Sequence, residues 1–304
     1  MTAQQPVPVT DNDTDATASG ARGRLSQRRN RSRAGRNLPA AITVGLLLGG
    51  MLIATLLWAP QLWLAILAVF TPVATHEVTR RLREAGYDVP FVPLLVGGQA
   101  MLWLSWPFGV AGVLGAFGGT VVVCMVWRLV DQGLTHAPVN YLRDMSAIVL
   151  IAVWVPLFMS FGALLTYPEP KAGAGRVFCL LLTVAFSDVG GFTVGVLIGK
   201  HPMVPAISPN KSWEGFAGSL LFGIGGATLA VTVFLHRPAW VGLPLGLLLV
   251  LTGILGDLVE SQVKRDLGIK DMGRLLPGHG GLMDRLDGLL PSAVMTWIVL
   301  TVLS

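Results

Sequence analysis

The chain has 304 residues, of which 53% are hydrophobic and only 13% charged, about half the ~25% charged content of soluble domains. That composition excludes a water-soluble globular fold, because no aqueous core holds so many apolar side chains, and it predicts a polytopic all-α transmembrane bundle. The net charge of +5 is concentrated in residues 1–38, where seven arginines against three aspartates leave +4; the other 15 basic and 14 acidic residues add only +1.

Taken in order, residues 1–38 are polar, rich in Arg, Ser, Thr and Asp, and without hydrophobic periodicity. They are expected to form a disordered basic cytoplasmic tail that acts as an orientation signal, with no nucleic-acid partner. From Pro39 long apolar runs alternate with short polar breaks, giving N-terminal transmembrane helices over 39–175 and a catalytic transmembrane region with cytoplasmic loops over 176–304. Candidate spans are 39–57, 61–75, 91–106, 108–127, 145–166, 176–199, 217–235, 240–256 and 288–303, about nine crossings.

With the tail inside, the breaks at 76–90, 128–144, 200–216 and 257–287 face the cytoplasm. They hold Arg80, Arg81, Arg83, Arg128, Arg143, Lys200, Lys211, Lys264, Arg265, Lys270, Arg274 and Arg285, against only Lys171, Arg176 and Arg237 in the opposite breaks. This is the positive-inside asymmetry. The stretch from His76 to Ala85 mixes Glu and Arg at i, i+3 and i, i+4 spacings and reads as a solvated hairpin. Glycine-dense Gly109–Gly119 and Gly218–Gly226 read as packing seams between helices. Cys124 and Cys179 each lie in an apolar run and read as small buried hydrophobes.

Two polar concentrations interrupt this pattern. In the first, Asp188 falls inside a span, in Phe186-Ser187-Asp188-Val189-Gly190-Gly191-Phe192. An ionisable group there is costly and marks a functional site. Ser208-Pro209 beyond it reads as a helix-entry turn, with Lys211 and Glu214 in the first turn of the next helix, a place suited to anions.

The second concentration is denser: Gly256-Asp257, Ser261, Lys264-Arg265, Lys270-Asp271, Pro277-Gly278-His279-Gly280-Gly281 and Asp284-Arg285-Leu286-Asp287. Carboxylates offer hard oxygen ligands to Mg²⁺, while Lys and Arg neutralise phosphate oxygens. Asp257, Asp284 and Asp287 are expected to hold Mg²⁺, with Asp188 on a second, monovalent or divalent, cation or on a nucleotide. Lys264, Arg265 and Arg285 are expected to neutralise phosphates, and Ser208, Lys211, Ser261, Lys270 and Asp271 to bind substrate around them. Gly280 and Gly281 let backbone N–H groups approach a phosphate, and His279 is expected to donate a hydrogen bond to one.

The run Ser261-x-Val263-Lys264-Arg265-x4-Lys270-Asp271-x-Gly273-x2-Leu276-Pro277-x-His279-Gly280-Gly281-Leu282-x-Asp284-Arg285-Leu286-Asp287 resembles the signature of the phosphatidate cytidylyltransferases, or CDP-diacylglycerol synthases. Ser187-Asp188 and Ser208-Pro209-x-Lys211-Ser212-x-Glu214-Gly215 resemble the same family, so the likeness covers roughly 176–303. Two departures stand out: Asn210 where a second lysine is common, and Val189-Gly190-Gly191-Phe192 in place of a small-residue-plus-Tyr sequence. The resemblance implies conversion of CTP and phosphatidic acid to CDP-diacylglycerol and pyrophosphate, in a bacterial-type inner membrane with the site facing the cytoplasm. It also implies a homodimer.

Two other classes compete. Asp284-x-x-Asp287-Gly288 opens like the motif of the alcohol phosphatidyltransferases, which consume CDP-lipid, but Leu289-Leu290-Pro291 follows and no later Gly-x3-Asp-x3-Asp occurs. A transporter using Asp188 and Asp257 as ion sites has no need of the long Lys/Arg/His-Gly-Gly loop.

Overall fold

The structure, a computed structural model, describes residues 38–131, 134, 137, 139–168, 170–275 and 280–303. The tail over 1–37 and His279 lie outside the described residues. Away from water a backbone must satisfy its own N–H and C=O groups, so apolar runs become helices. These are α1 (Leu38–Trp58), α2 (Trp63–Glu84), α3 (Phe91–Asp131), α4 (Tyr141–Ala152), α5 (Phe158–Leu164), α6 (Pro170–Ile198), α7 (Trp213–Phe234), α8 (Gly242–Asp266), α9 (Met283–Leu286) and α10 (Leu289–Val302). A π-helical turn at Val153–Leu157, which accommodates Pro156, joins α4 and α5 into one rod.

Seven helices among the described residues are long and apolar enough to cross a bilayer: Pro60–Glu84, Phe91–Asp131, Tyr141–Leu164, Gly173–Ile198, Trp213–Phe234, Ala239–Asp266 and Met283–Val302. The expected spans 91–106 and 108–127 are merged in α3, which is not straight. Gly109 takes φ 56° and ψ −139°, a conformation that glycine adopts without a Cβ penalty, and the chain doubles back there. A Cβ on Gly97 would meet Thr120, and one on Gly112 would meet the Leu104 carbonyl, so the two arms run antiparallel in contact.

The expected glycine seams divide. Gly218, Gly223 and Gly226 of α7 sit where a Cβ would collide with Val194, Val250 and Phe186, so they allow α6 and α8 to approach closely. Gly115, Gly118 and Gly119 meet nothing, and only the Gly109–Gly112 end of that run is used in packing. Cys124 and Cys179 are buried and free, as their apolar surroundings require. Leu94, Ile148, Ile151, Val155, Leu245 and Leu249 form the protein-filled core, while Val122, Val126, Val130, Val196 and Leu197 are exposed on the outer face.

The strands among the described residues form an antiparallel hairpin of β1 (Pro202–Val204) and β2 (Ser208–Ser212) with Pro202 opposite Ser212 and Val204 opposite Ser208. Ser208-Pro209 is therefore strand and not helix entry, and α7 starts only after Ser212, whose Oγ accepts from the Gly215 N–H at 3.1 Å as an N-cap.

Polar contacts gather four breaks at one end of the bundle. Arg128, at the end of α3, bonds to Asp88 after α2, to Asp131 at 3.4 Å and to Asp144 of α4 at 2.8 Å. Arg143 reaches the Gly86 carbonyl and stacks on Tyr87, 4.5 Å from the ring centre. Arg81 of α2 donates to the Met272 carbonyl at 2.8 Å, and Lys211 of β2 meets Asp257 of α8 at 2.6 Å. The breaks 76–90, 128–144, 200–216 and 257–287 thus share an end. Tyr167, packed near Gly109 and accepting from Arg176, lies at the other.

Candidate active site

A cavity of about 570 Å³ opens at the polar end, between the C-terminal half of α6, the hairpin, the start of α7, the last turns of α8 and the short α9. That size suits a small-molecule site. Asp188, Lys211, Asp257, Lys264, Asp271, Asp284, Arg285 and Asp287 all line it, so both polar concentrations of the sequence converge on one space. Five carboxylates and three basic side chains meet there, two negative charges in excess. Phe192, Met203, Phe216, Leu249, Ile254 and Leu289 supply apolar wall.

Each charged group has a structural reason for its place. Asp257, Glu260, Ser261 and Lys264 recur at i, i+3, i+4 and i+7 on α8, one helix face. Ser261 Oγ donates to Asp257 Oδ1 at 3.3 Å, and Lys211 Nζ lies 2.6 Å from Asp257 Oδ2. Lys264 Nζ sits 2.9 Å from Asp284 Oδ1 and 3.3 Å from Glu260 Oε2. Glu260 is completely buried and lies against Asp287. Asp287 caps its own turn, accepting from the Gly288 N–H at 2.7 Å.

Asp284 is the most heavily bonded acid. Its side chain is 5% exposed and takes Lys264 on Oδ1; Oδ2 accepts the Gly281 N–H at 2.8 Å and the Met272 N–H at 3.0 Å. The Gly281 donor expected for a phosphate is therefore engaged by Asp284. Gly280, at φ 87°, turns the chain so that this bond closes. Asp284 and Asp287 both face the cavity from one turn of helix, but they serve different partners.

Among the other sequence candidates, Ser208, Ser261, Arg265, Lys270, Gly280 and Gly281 are not lining residues; Arg265 and Lys270 are exposed. Among the described residues no three His, Cys, Asp or Glu side chains converge as a ready metal cage. The donor set still fits a cation bound jointly with phosphates, because Mg²⁺ commonly takes one or two protein carboxylates and fills its shell from substrate and water. Asp188 is exposed and the Asp257 side chain 40% exposed, whereas Asp284 is spent on Lys264 and two amides.

Three acids near the cavity have roles that sequence reasoning did not give them, although Glu214 was placed at the start of the helix after the hairpin. Glu214 fastens the hairpin, accepting the N–H groups of Lys200 at 3.2 Å and His201 at 3.3 Å and pairing with His201 Nδ1 at 2.5 Å. Glu260 was legible from the helical spacing it shares with Asp257 and Lys264. Glu77 is buried on α2 and accepts the Met283 N–H at 2.9 Å, so the stretch from His76 to Ala85 is not a solvated hairpin.

Comparison with known proteins bears on this arrangement. The model of the cytidylyltransferase family matches residues 39–303. A phosphatidate cytidylyltransferase of Mycobacterium bovis is 62% identical over 302 residues, covering 97% of each chain. One from Mycobacterium leprae is 60% identical over 308 residues, covering 97% of this chain and 98% of its own. One from Staphylococcus epidermidis is 40% identical over 134 residues, 44% of this chain and 52% of its own.

Proposed function

The chain belongs to the cytidylyltransferase family, and on that premise we infer that it transfers cytidylate from CTP to phosphatidic acid, forming CDP-diacylglycerol and pyrophosphate for phospholipid synthesis. The observation that carries this reading is the cavity itself. Basic and acidic groups from α6, β2, α8 and α9 surround one space whose remaining wall is apolar, inside helices fit to cross a bilayer. A soluble polyanion and a membrane-bound phosphate are brought together by such a place.

An oxygen of the lipid phosphate attacks the α-phosphorus of CTP. The bond from that phosphorus to the oxygen bridging to the β-phosphate breaks, and its electron pair leaves with pyrophosphate. Both reactants are anions, so catalysis comes from neutralisation and in-line positioning. Lys211 neutralises triphosphate oxygens after exchanging Asp257 for them. Lys264 and Arg285 offset charge near the reacting phosphates, and Asp284 holds Lys264 and the loop before α9 in register. Asp257, Asp287 and Asp188 would hold Mg²⁺, and a second cation, jointly with substrate phosphates; bound there, Mg²⁺ supplies further neutralisation of the triphosphate.

Nine crossings follow if α3 counts twice because of its reversal at Gly109 and α1 counts once in addition to the seven. The Lys- and Arg-rich end then faces the cytoplasm of a bacterial inner membrane, with the N-terminus on that side. A homodimer completes the reading and is checked by the mass of the protein in nanodiscs. The reaction is tested by supplying purified protein with labelled CTP and phosphatidic acid, with and without Mg²⁺. Lipid-bound cytidylate with equimolar pyrophosphate is expected. Failure to label lipid, or release of CMP from CDP-lipid as the only reaction, overturns it.

A further inference from the structure

An acid on an apolar helix is retained only where something nearby compensates for its lost hydration. Glu77, on α2, is 8% exposed and does not line the cavity. Its Oε2 accepts the Met283 N–H at 2.9 Å, one residue before Asp284. The same carboxylate fills the space beside two glycines of the loop: a Cβ on Gly281 would come within 2.6 Å of Oε2, and one on Gly273 would collide with Oε1. One helical turn on, Arg81 donates to the Met272 carbonyl at 2.8 Å and reaches the Asp271 carbonyl at 3.4 Å. Met272 in turn donates its N–H to Asp284.

We propose that Glu77 and Arg81 of α2 are positioning residues for the cytidylyl transfer, gripping the backbone at Asp271–Met272 and at Met283 so that Asp284, and through it Lys264, is presented in one geometry. The contacts form a continuous path from Arg81 to Met272 to Asp284 to Lys264, with a second hold from Glu77 to Met283. Neither residue touches the cavity, so their effect is on where the reacting groups stand. This inference rests on the active-site reading above, since it assigns a purpose to the placement of Asp284. It gives the N-terminal half of the chain a part in catalysis beyond anchoring.

The test compares wild type with Glu77→Ala, Glu77→Gln and Arg81→Ala in nanodiscs, measuring kcat, KM for CTP and amide hydrogen exchange over 270–285. Glu77→Ala is expected to lower kcat by about 10²-fold, the cost of a roughly 1 Å misplacement. KM should stay within about twofold, because no group that binds substrate is removed. Faster exchange should be confined to the loop amides, including Gly281 and Met283. Glu77→Gln keeps an oxygen for the Met283 N–H and should recover most of the rate. Wild-type kcat and exchange in Glu77→Ala overturn the proposal, as does faster exchange spread through all the spans. If Glu77→Ala fails to fold, Arg81→Ala decides. A lower kcat with faster exchange at Met272 supports the proposal, and no change in either refutes it. Wild-type protein that transfers no cytidylate rejects the functional reading instead, while the exchange comparison still reports on the grip.

Discussion

Replacing Asp284 by Asn removes the negative charge at the most heavily bonded point of the site while keeping its shape. Oδ1 takes Lys264 at 2.9 Å, and Oδ2 takes the Gly281 and Met272 amides at 2.8 and 3.0 Å. An amide has one acceptor oxygen, so one of these sides must face an NH₂ group that is itself a donor. If the amides keep the oxygen, Lys264 loses Asp284 but retains Glu260 at 3.3 Å. The loss is then one charged hydrogen bond, about 1.5–3 kcal/mol. Expressed in the placement of Lys264 and the loop, that is about 10- to 10²-fold in rate. Initial rates with labelled CTP and saturating phosphatidic acid, together with exchange at Met272 and Gly281, check it. Full turnover with unchanged exchange refutes the reasoning. So does lost turnover with unchanged exchange and a raised Mg²⁺ requirement, which would make Asp284 a metal ligand and not an anchor.

Lys264→Met leaves the fully buried Glu260 without its cation and should destabilise the protein by about 3–5 kcal/mol. Adding Glu260→Gln should restore part of the lost melting temperature in detergent but not the turnover, because Asp284, 5% exposed, still lacks Lys264. Arg128→Met removes the buried partner of Asp144, both side chains being 2% exposed, and leaves it only the more exposed Arg143 at 3.2 Å; it should cost up to about 3 kcal/mol in denaturant titrations, and the folded fraction should keep wild-type kcat, since Arg128 is away from the cavity. Chelating divalent cations should stop turnover and added Mg²⁺ restore it, with Asp257→Asn shifting the Mg²⁺ needed for half-maximal rate upward.

Chemistry that depends on residue type and helical period was legible without coordinates. Asp257, Ser261 and Lys264 lie on one face because 3.6 residues make a turn, and Asp188 is conspicuous because charge inside an apolar span is rare. The expected spans likewise follow from apolar run length. What failed concerns conformations and partners distant in the chain. Ser208-Pro209 became strand because the hairpin pairs Ser208 with Val204 and Pro202 with Ser212, a pairing that the helix-entry reading of Ser-Pro did not consider. The reversal at Gly109 depends on one residue at positive φ, which shows in sequence only as another glycine among many.

By itself, then, the order of residues determined a membrane bundle, the approximate position of its segments, though the helices of spans 61–75 and 240–256 run on to Glu84 and Asp266, and the inventory of acids, bases and glycines around a phosphate-handling site. Folding alone decided which of those acids remain accessible to a cation and which are consumed as anchors. Asp257 and Asp284 carry identical carboxylates; one is open to the cavity beside Lys211, the other is enclosed by an ammonium and two amide donors. Tertiary packing likewise brought Glu77 against Met283, next to Asp284, from about 200 residues away, as the 206-residue separation of that bond records. The physical reason is the same in both cases: the work a charge does is set by the donors and the dielectric around it, and these come from whatever segments happen to pack against it.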